Sequence, residues 1–303
     1  MLVHRSLEGL SIQKSVVTTG SFDGVHVGHK TILSRLKAIA AENGGTSVLV
    51  TFYPHPRKVL YPNTQGKDLQ MINTQREKIR LLEKAGLDHL VIIPFTLEFS
   101  KTSSVDFIRK ILVGKLHAST VVVGFNHHFG HNREGNYEYL YELGKYYNFR
   151  VEEIPEQDIH NETVSSTKIR KALFEGNIQR ANAYLDHEYF MIGPVLSTED
   201  LNVSNSIQWY SVLAEEAEKQ LPPPGIYAGS VSHGIDREKV MIRISGDNPK
   251  NCVHVHFLNQ GYRVPPEVFL NFHKKIRGGQ ETGDPVSDAL LSESLIEIDE
   301  LIY

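Results

Sequence analysis

TTGSFDGVHVGHK, Thr18 to Lys30, decides how the first half of the chain is read. It follows the apolar run Ser15 to Thr19 and leads into Lys30 to Glu42, whose apolar residues recur at three and four spacing. That is a buried strand turning into a helix. Gly20, Gly24 and Gly28 let the backbone bend sharply and approach a ligand, and His26 and His29 supply imidazole donors at the same turn. In an open α/β sheet, ligands bind outside the carboxyl ends of the strands, where a helix N-terminus offers free N–H groups and a positive dipole end. Phosphate fits such a place. The stretch is not a Walker loop, because Lys30 is preceded by His29 rather than by the glycine of a Gly-Lys-Ser/Thr motif.

The same alternation continues on either side. Strands are predicted at Ser15 to Thr19, Ser47 to Phe52, His89 to Ile93, Thr120 to Val123 and Phe149 to Ile154, rich in Val and Ile as doubly covered strands should be. Helices are predicted at Lys30 to Glu42, Thr74 to Ala85, Ser104 to Leu112 and Tyr137 to Tyr147. This is a five-stranded parallel sheet with crossover helices. Two more helices, Ser166 to Phe174 and Ile178 to Leu185, are split by Gly176-Asn177. After His187 the texture changes to short β-branched runs, IYAGSVS, KVMIRIS and CVHVHFL, which read as an antiparallel barrel or sandwich. LPPPG, Leu221 to Gly225, lacks ladder donors and marks an edge or a connection before Ile226. Asp288 to Tyr303 reads as a closing acidic helix. The expected domains are 1–186 and 187–303.

Composition narrows the function. A length of 303 residues suits two domains, and 40% hydrophobic with 22% charged residues suits a folded chain. A net charge of -4 argues against a nucleic-acid footprint and a polybasic membrane anchor, which leaves a small ligand as the expected partner. The single Cys252 excludes an internal disulfide framework and a cysteine-based zinc site. MLVHRSLEGLSIQK has no apolar core of a signal peptide, and no stretch approaches the roughly 20 apolar residues of a membrane span, so a cytoplasmic protein is expected. Composition says nothing of oligomeric state.

Three further segments stand where a nucleotide pocket needs them. TFYPHP, Thr51 to Pro56, ends the second predicted strand, and GFNHHFGHNREG, Gly124 to Gly135, follows the fourth. VSSTKIR, Val164 to Arg170, follows the fifth and opens a helix with hydroxyls and cations. Four polar, turn-rich segments on one rim of a parallel sheet describe a nucleotide pocket.

In these four segments the chain resembles the bacterial bifunctional riboflavin kinase/FAD synthetase family. The family pattern G-x-F-D-G-V-H-x-G-H, T-F-x-P-H-P, G-x-N/D-x-x-F-G and S-S-T-x-I-R is met in order. The resemblance implies a Rossmann-like HxGH nucleotidyltransferase domain followed by a small antiparallel β-barrel. It implies that Gly20, Phe22, Asp23, Gly24, His26, Gly28 and His29 form the ATP loop, with His26 and His29 on the triphosphate. Ser166, Thr167 and Arg170 would clamp phosphates from the other side. Pro54, His55 and Pro56 would border FMN, and Asn126 with Phe129 would locate the nucleotide or flavin. Catalysis would rest on His26, His29 and Arg170. The implied reaction is attack of an FMN phosphate oxygen on the α-phosphorus of ATP, giving FAD and pyrophosphate, with Mg²⁺ carried by ATP and no resident metal.

Plainer roles stand beside these. Asp23 is also suited to stabilising a turn, His55 to a rigid turn between prolines, Ser165 to capping a helix and Lys168 to solvent. His127, His128 and His131 read as a solvated or phosphate-facing loop more than as a metal site.

The resemblance implies a riboflavin kinase for the second half, with traces at PGIYAG (Pro224 to Gly229), CVHVHFLN (Cys252 to Asn259) and FHKKIRGGQ (Phe272 to Gln280). The family's G-F-P-T-A-N stretch, which organises Mg²⁺ and phosphates, has no counterpart in NSIQWYSVLAEEAEK, Asn205 to Lys219. His254 occupies the position of the family's catalytic Glu. A helix is predicted from Ser211 to Gln220, and His254 with His256 are predicted on an exposed strand face rather than in a metal site. Kinase activity is therefore expected to be lost or very weak. The rival readings are an enzyme that keeps both activities and a non-catalytic flavin- or nucleotide-binding regulator.

Overall fold

The computed structural model describes residues 1–125, 127–159, 162–196, 207–233, 236–246, 251–259, 261–278 and 288–302. The chain forms two compact units, residues 1–69 with 78–164, and residues 70–77 with 165–303.

The first unit runs β1 (Leu2–His4), β2 (Ser15–Thr19), α1 (Val27–Glu42), β3 (Thr46–Tyr53), α2 (Pro56–Leu60), α3 (Gln75–Lys84), β4 (His89–Pro94), α4 (Ser104–Phe107), β5 (Ala118–Gly124), α5 (Tyr137–Tyr147), β6 (Arg150–Ile154) and the short pair β7 (Asp158–Ile159) and β8 (Glu162–Thr163). The first turn of α3, through Glu77, belongs to the second unit. Helix α4 continues as a π-helical stretch, Ile108–Val113. The sheet has the order β1-β4-β3-β2-β5-β6, with every pair parallel.

Its strands alternate between two buried faces, as a doubly covered sheet must. Val17, Val48, Val50, Val91, Val121 and Val123 pack with Phe107, Ile111 and Leu140 on one side. Val16, Leu49, Leu90 and Val122 pack with Leu33, Leu36 and Leu82 on the other. The five predicted strands are present, and a sixth, β1, joins the edge beside β4. Its three residues are too short and too exposed to show a pattern; pairing with β4 and the His4 ring stacked on His89 hold them.

The second unit runs α6 (Ser166–Phe174), α7 (Ile178–Leu185), β9 (Tyr189–Leu196), β10 (Tyr210–Leu213), β11 (Gly225–His233), β12 (Asp236–Ile244), β13 (Cys252–Phe257), β14 (Glu267–Gly278) and α8 (Asp288–Leu301). Its six strands close into a barrel of order β10-β13-β12-β11-β14-β9. Helix α8 covers one flank, placing Leu291 and Ile298 against Ile226, Ala228, Met241 and Trp209. Strand β10 closes the barrel so tightly that a Cβ on Gly193 of β9 would lie 1.8 Å from the Leu213 carbonyl oxygen.

Here the structure corrects the sequence. Residues 210–213 are a strand and the following residues are turns, not the predicted helix. The Ala-Glu-Glu-Ala-Glu-Lys propensity is overridden because Tyr210 to Leu213 pair with Val255 to Cys252, and Ser211 and Val212 with Leu196 and Val195.

The sequence placed the domain boundary after Asp186; by contacts, residues 165–186 group with the barrel, as do residues 70–77. Asn182 of α7 explains why these helices go with the barrel. Its amide donates to the Phe272 carbonyl at 2.9 Å, and its carbonyl accepts from Tyr189 N at 2.7 Å. Residues 70–77 join the same unit through a fully buried ion pair, Lys219 Nζ to Glu77 Oε2 at 2.6 Å. Lys219 also donates to the carbonyls of Ile72 at 2.8 Å and Phe190 at 2.6 Å. Glu77 accepts from Thr74 N at 2.9 Å and Ile192 N at 3.0 Å.

Candidate active site at the first strand-to-helix turn

Strand order reverses at β2, with β3 on one side and β5 on the other, and this is where a parallel sheet opens a crevice at its carboxyl edge. Between β2 and α1 the backbone takes left-handed φ at Phe22 (48°), Gly24 (88°) and Val25 (41°). Such angles cost a non-glycine residue about 1–3 kcal/mol and persist only where the surroundings impose them. Here they are imposed by burial, since Phe22 and Val25 are sunk into the core beneath α1. Gly20 N also ties the turn to Val50 O at 3.0 Å.

His26 precedes α1 in an extended conformation, and its side chain does not cap the helix. No acidic residue lies in the first turn of α1, so its N-terminal end offers N–H groups and dipole to an anion. The His29 ring is sandwiched, 3.7 Å from the centroid of His26 and 4.4 Å from that of Phe22, with interplanar angles of 20° and 21°. Gly28 makes room for this pile, since a Cβ there would lie 3.3 Å from His26 Cε1. Burial first, then the proximity of His26 and Lys78, hold the His29 pKa well below 6.5. His29 is thus a neutral imidazole at physiological pH. Its enclosed Nδ1 has no hydrogen-bond partner among the described residues, which favours placing the proton on Nε2 as a donor.

The other sequence-predicted residues of this unit lie on neighbouring strand ends. Gly20 directly follows β2, and Asp23 is buried within the turn. In the loop after β5, His127 Nε2 lies 3.2 Å from Thr19 Oγ1, and burial followed by His128 lowers its pKa to about 4. Phe129 is buried and bonded through both its main-chain groups to Gly135, at 3.1 and 2.9 Å. Asn126 lies outside the described residues. His131 Nδ1 donates to the Ser100 carbonyl at 2.9 Å, away from the contact that His127 makes. Among the described residues no group of three or more His, Cys, Asp or Glu forms a metal site.

Pro54 follows β3 through a cis peptide bond, and His55 caps α2, accepting Arg57 N on Nδ1 at 3.2 Å with Pro56 in the first helical turn. Beside them Phe52, Phe95 and Phe99 cluster with centroids 5.7 to 5.9 Å apart. The sequence reading passed over Phe95 and Phe99, whose signal was an aromatic placed just past the strand His89–Pro94. It also passed over Lys78, which reads as an ordinary surface cation of α3. Its side chain is buried and donates to the Ser21 carbonyl at 3.2 Å, inside the glycine-rich turn.

Ser166, Thr167 and Arg170 belong to the second unit. Ser165 caps α6 through Lys168 N at 3.3 Å, the helix-cap role anticipated for it. Arg170 Nε donates to the Gln70 carbonyl at 2.9 Å, while the Arg170 carbonyl accepts from Gln220 Nε2 at 2.7 Å. In the barrel, His254 and His256 are both buried, which corrects the exposed strand face predicted for them. The reason is packing on their flank. His254 Nδ1 lies 3.2 Å from Ser211 Oγ of β10, and His256 Nδ1 donates to the Gln208 carbonyl at 2.9 Å. Burial, then Arg243, lowers His254 to about 4.

These three depressed imidazoles make stability depend on pH in a defined direction. Unfolded histidines take up a proton near pH 6.5, whereas His29, His127 and His254 stay neutral when folded. Their contribution is fully present above pH 6.5 and is lost as the pH falls toward about 4, where folded His127 and His254 also protonate. The melting temperature is expected to fall steadily between pH 6.5 and 4.5, and calorimetry across that range checks it. A flat profile would contradict the buried-neutral assignment.

Comparison with known proteins agrees with this geometry. A family described as FAD synthetase matches residues 10–168. The bifunctional riboflavin kinase/FMN adenylyltransferase of Buchnera aphidicola subsp. Schizaphis graminum is 33% identical over 275 residues, covering 87% of this chain and 86% of that protein. A Listeria monocytogenes protein named FAD synthetase is 33% identical over 185 residues, covering 61% of this chain and 74% of its own. A crystal structure named as a macrolide-efflux protein from Streptococcus pneumoniae superposes with a TM-score of 0.83 at 21% identity, over 99% of this chain and 97% of that one, a likeness of fold alone. The matched span contains the HxGH turn, the Thr-Phe-Tyr-Pro-His-Pro segment and the loop after β5, and the chain belongs to the FAD synthetase family.

Proposed function

We propose that the protein is an FMN adenylyltransferase, moving AMP from ATP to the phosphate of FMN and releasing pyrophosphate. The observation that carries this is the stacked His26–His29 ring pair, with His29 held neutral, set against an α1 N-terminus that no side chain caps. The attacking group, an FMN phosphate oxygen, is already an anion, so no protein nucleophile is required. What remains is to hold two anionic phosphates in line and to stabilise charge on the departing pyrophosphate. Nε2 of His29, the α1 N–H groups and His26 would do this for the triphosphate. ATP would bring Mg²⁺ as part of the substrate, adding charge neutralisation at the phosphates. The ring cluster of Phe52, Phe95 and Phe99 near Pro54 is suited to an isoalloxazine face. The phosphate-contacting roles of Ser166, Thr167 and Arg170, and the flavin-side roles of Pro54, His55, Pro56, Asn126 and Phe129, belong to the same proposal and rest on the sequence match.

The second reading, that the enzyme also phosphorylates riboflavin, draws on the relatives named for both activities. Against it, Lys219, at the end of the stretch that replaces Gly-Phe-Pro-Thr-Ala-Asn, is committed to the buried pair with Glu77. Purified protein is to be incubated with ATP, Mg²⁺ and either FMN or riboflavin, and the products separated by chromatography. FAD from FMN, and no FMN from riboflavin, is the expected result. FMN formed from riboflavin would restore the kinase, and binding without product in both mixtures would favour a regulator.

A further inference from the structure

We propose that Lys78 is a positioning residue of the adenylyl-transfer site, which clamps the Ser21 carbonyl inside the turn and sets the charge that the triphosphate meets there. The inference rests on the proposed adenylyl transfer for its kinetic meaning and on geometry for its residue.

A lysine that is 3% exposed is uncommon, because burying an ammonium costs several kcal/mol unless hydrogen bonds and charge compensate. If Lys78 were an ordinary helix cation its long stem would reach solvent. Instead Nζ reaches the Ser21 carbonyl at 3.2 Å, one residue before Phe22, where the backbone enters its left-handed stretch. Thr51 Oγ1 donates to the same carbonyl at 3.3 Å, so two donors from different elements fix one peptide group. The pinned peptide leads directly to Phe22, whose ring forms one side of the Phe22–His29–His26 pile. Lys78 therefore fixes the base on which the imidazoles stack.

Its charge acts as well. The titratable groups that act on His29 are His26 from the turn and Lys78 from α3, and both oppose a second positive charge on the imidazole. A fixed cation below the turn attracts the triphosphate, while the imidazole above it stays a hydrogen-bond donor without needing to lose a proton first.

The test compares the full-length protein with Lys78→Met, Lys78→Gln and Lys78→Arg. NMR titration of the His29 ring reads the electrostatics without any turnover. Its midpoint is expected to rise in the Met and Gln variants and to stay low in the Arg variant. KM for ATP at pH 7.5 is expected to rise about tenfold in Met and Gln, with Arg recovering most of the loss and kcat changing less. Gln retains a donor for Ser21, so a defect shared by Gln and Met assigns the effect to charge. A defect confined to Met assigns it to the clamp alone and overturns the electrostatic half of the proposal. An unchanged His29 titration together with an unchanged KM overturns all of it. If the unaltered protein makes no FAD, adenylyl transfer itself fails, and the NMR result still decides whether Lys78 governs His29.

Discussion

Alanine in place of His29 is expected to lower kcat/KM for ATP by about 10²–10³-fold, the usual cost of deleting one preorganised donor to developing charge. Stability should move far less. The ring is partly exposed, and its contacts are two stacked faces, each worth about 0.5–1.5 kcal/mol. The variant should therefore remain folded at 25 °C with turnover nearly gone, and circular dichroism beside a steady-state assay separates the two effects. His29→Asn, which keeps a nitrogen donor on a shorter side chain, is expected to recover part of the rate. If alanine leaves kcat/KM within threefold of the parent, the imidazole is not a phosphate ligand and the assignment of the turn is wrong.

The largest stability effect is expected at Lys219. Methionine there removes a cation of zero exposure and leaves the Glu77 carboxylate in the interior with only its neutral donors. Breaking a buried pair from one side costs about 3–5 kcal/mol, a large part of the total stability of a domain. The double variant Glu77→Gln/Lys219→Met removes both charges and should recover much of that loss, because a buried pair replaced as a whole is often nearly neutral. Arg76 provides the contrast. Its bonds to Glu215 and Glu267 are short, but the side chain is 47% exposed, so its removal should cost only about 0–1 kcal/mol. Urea unfolding of the three variants beside the parent gives the order directly. Equal losses for Arg76→Ala and Lys219→Met would show that burial does not govern these pairs.

Much of the first unit was legible in the sequence, for a physical reason. Strands covered on both faces exclude charge and favour Val and Ile, so SVVTT and SVLVTF stand out as uncharged, β-branched runs. The turn was legible because its glycines and histidines are chemically distinctive. Strand β1 was hidden because three half-exposed residues have no period to detect. Strand β10 was misread because local helix propensity points one way and barrel closure another, and closure wins through pairings of long sequence separation. Lys78, Lys219 and Glu77 were invisible as buried groups. A charged residue carries no mark of burial, and its partner lies 57 residues away for Lys78 and 142 for Lys219. His254 and His256 were misplaced because strand alternation says that two side chains share a face but not whether that face is covered.

The return of residues 70–77 to the barrel unit restricts how such a chain can be recombined. A crossover placed at Ser165 looks clean on a linear map, yet it would separate Glu77 from Lys219 and from Ile192 N and strand an acid without its counter-ion. Neither half is an exchangeable cassette as written. A functional chimera would have to transplant the 70–77 strap along with the barrel.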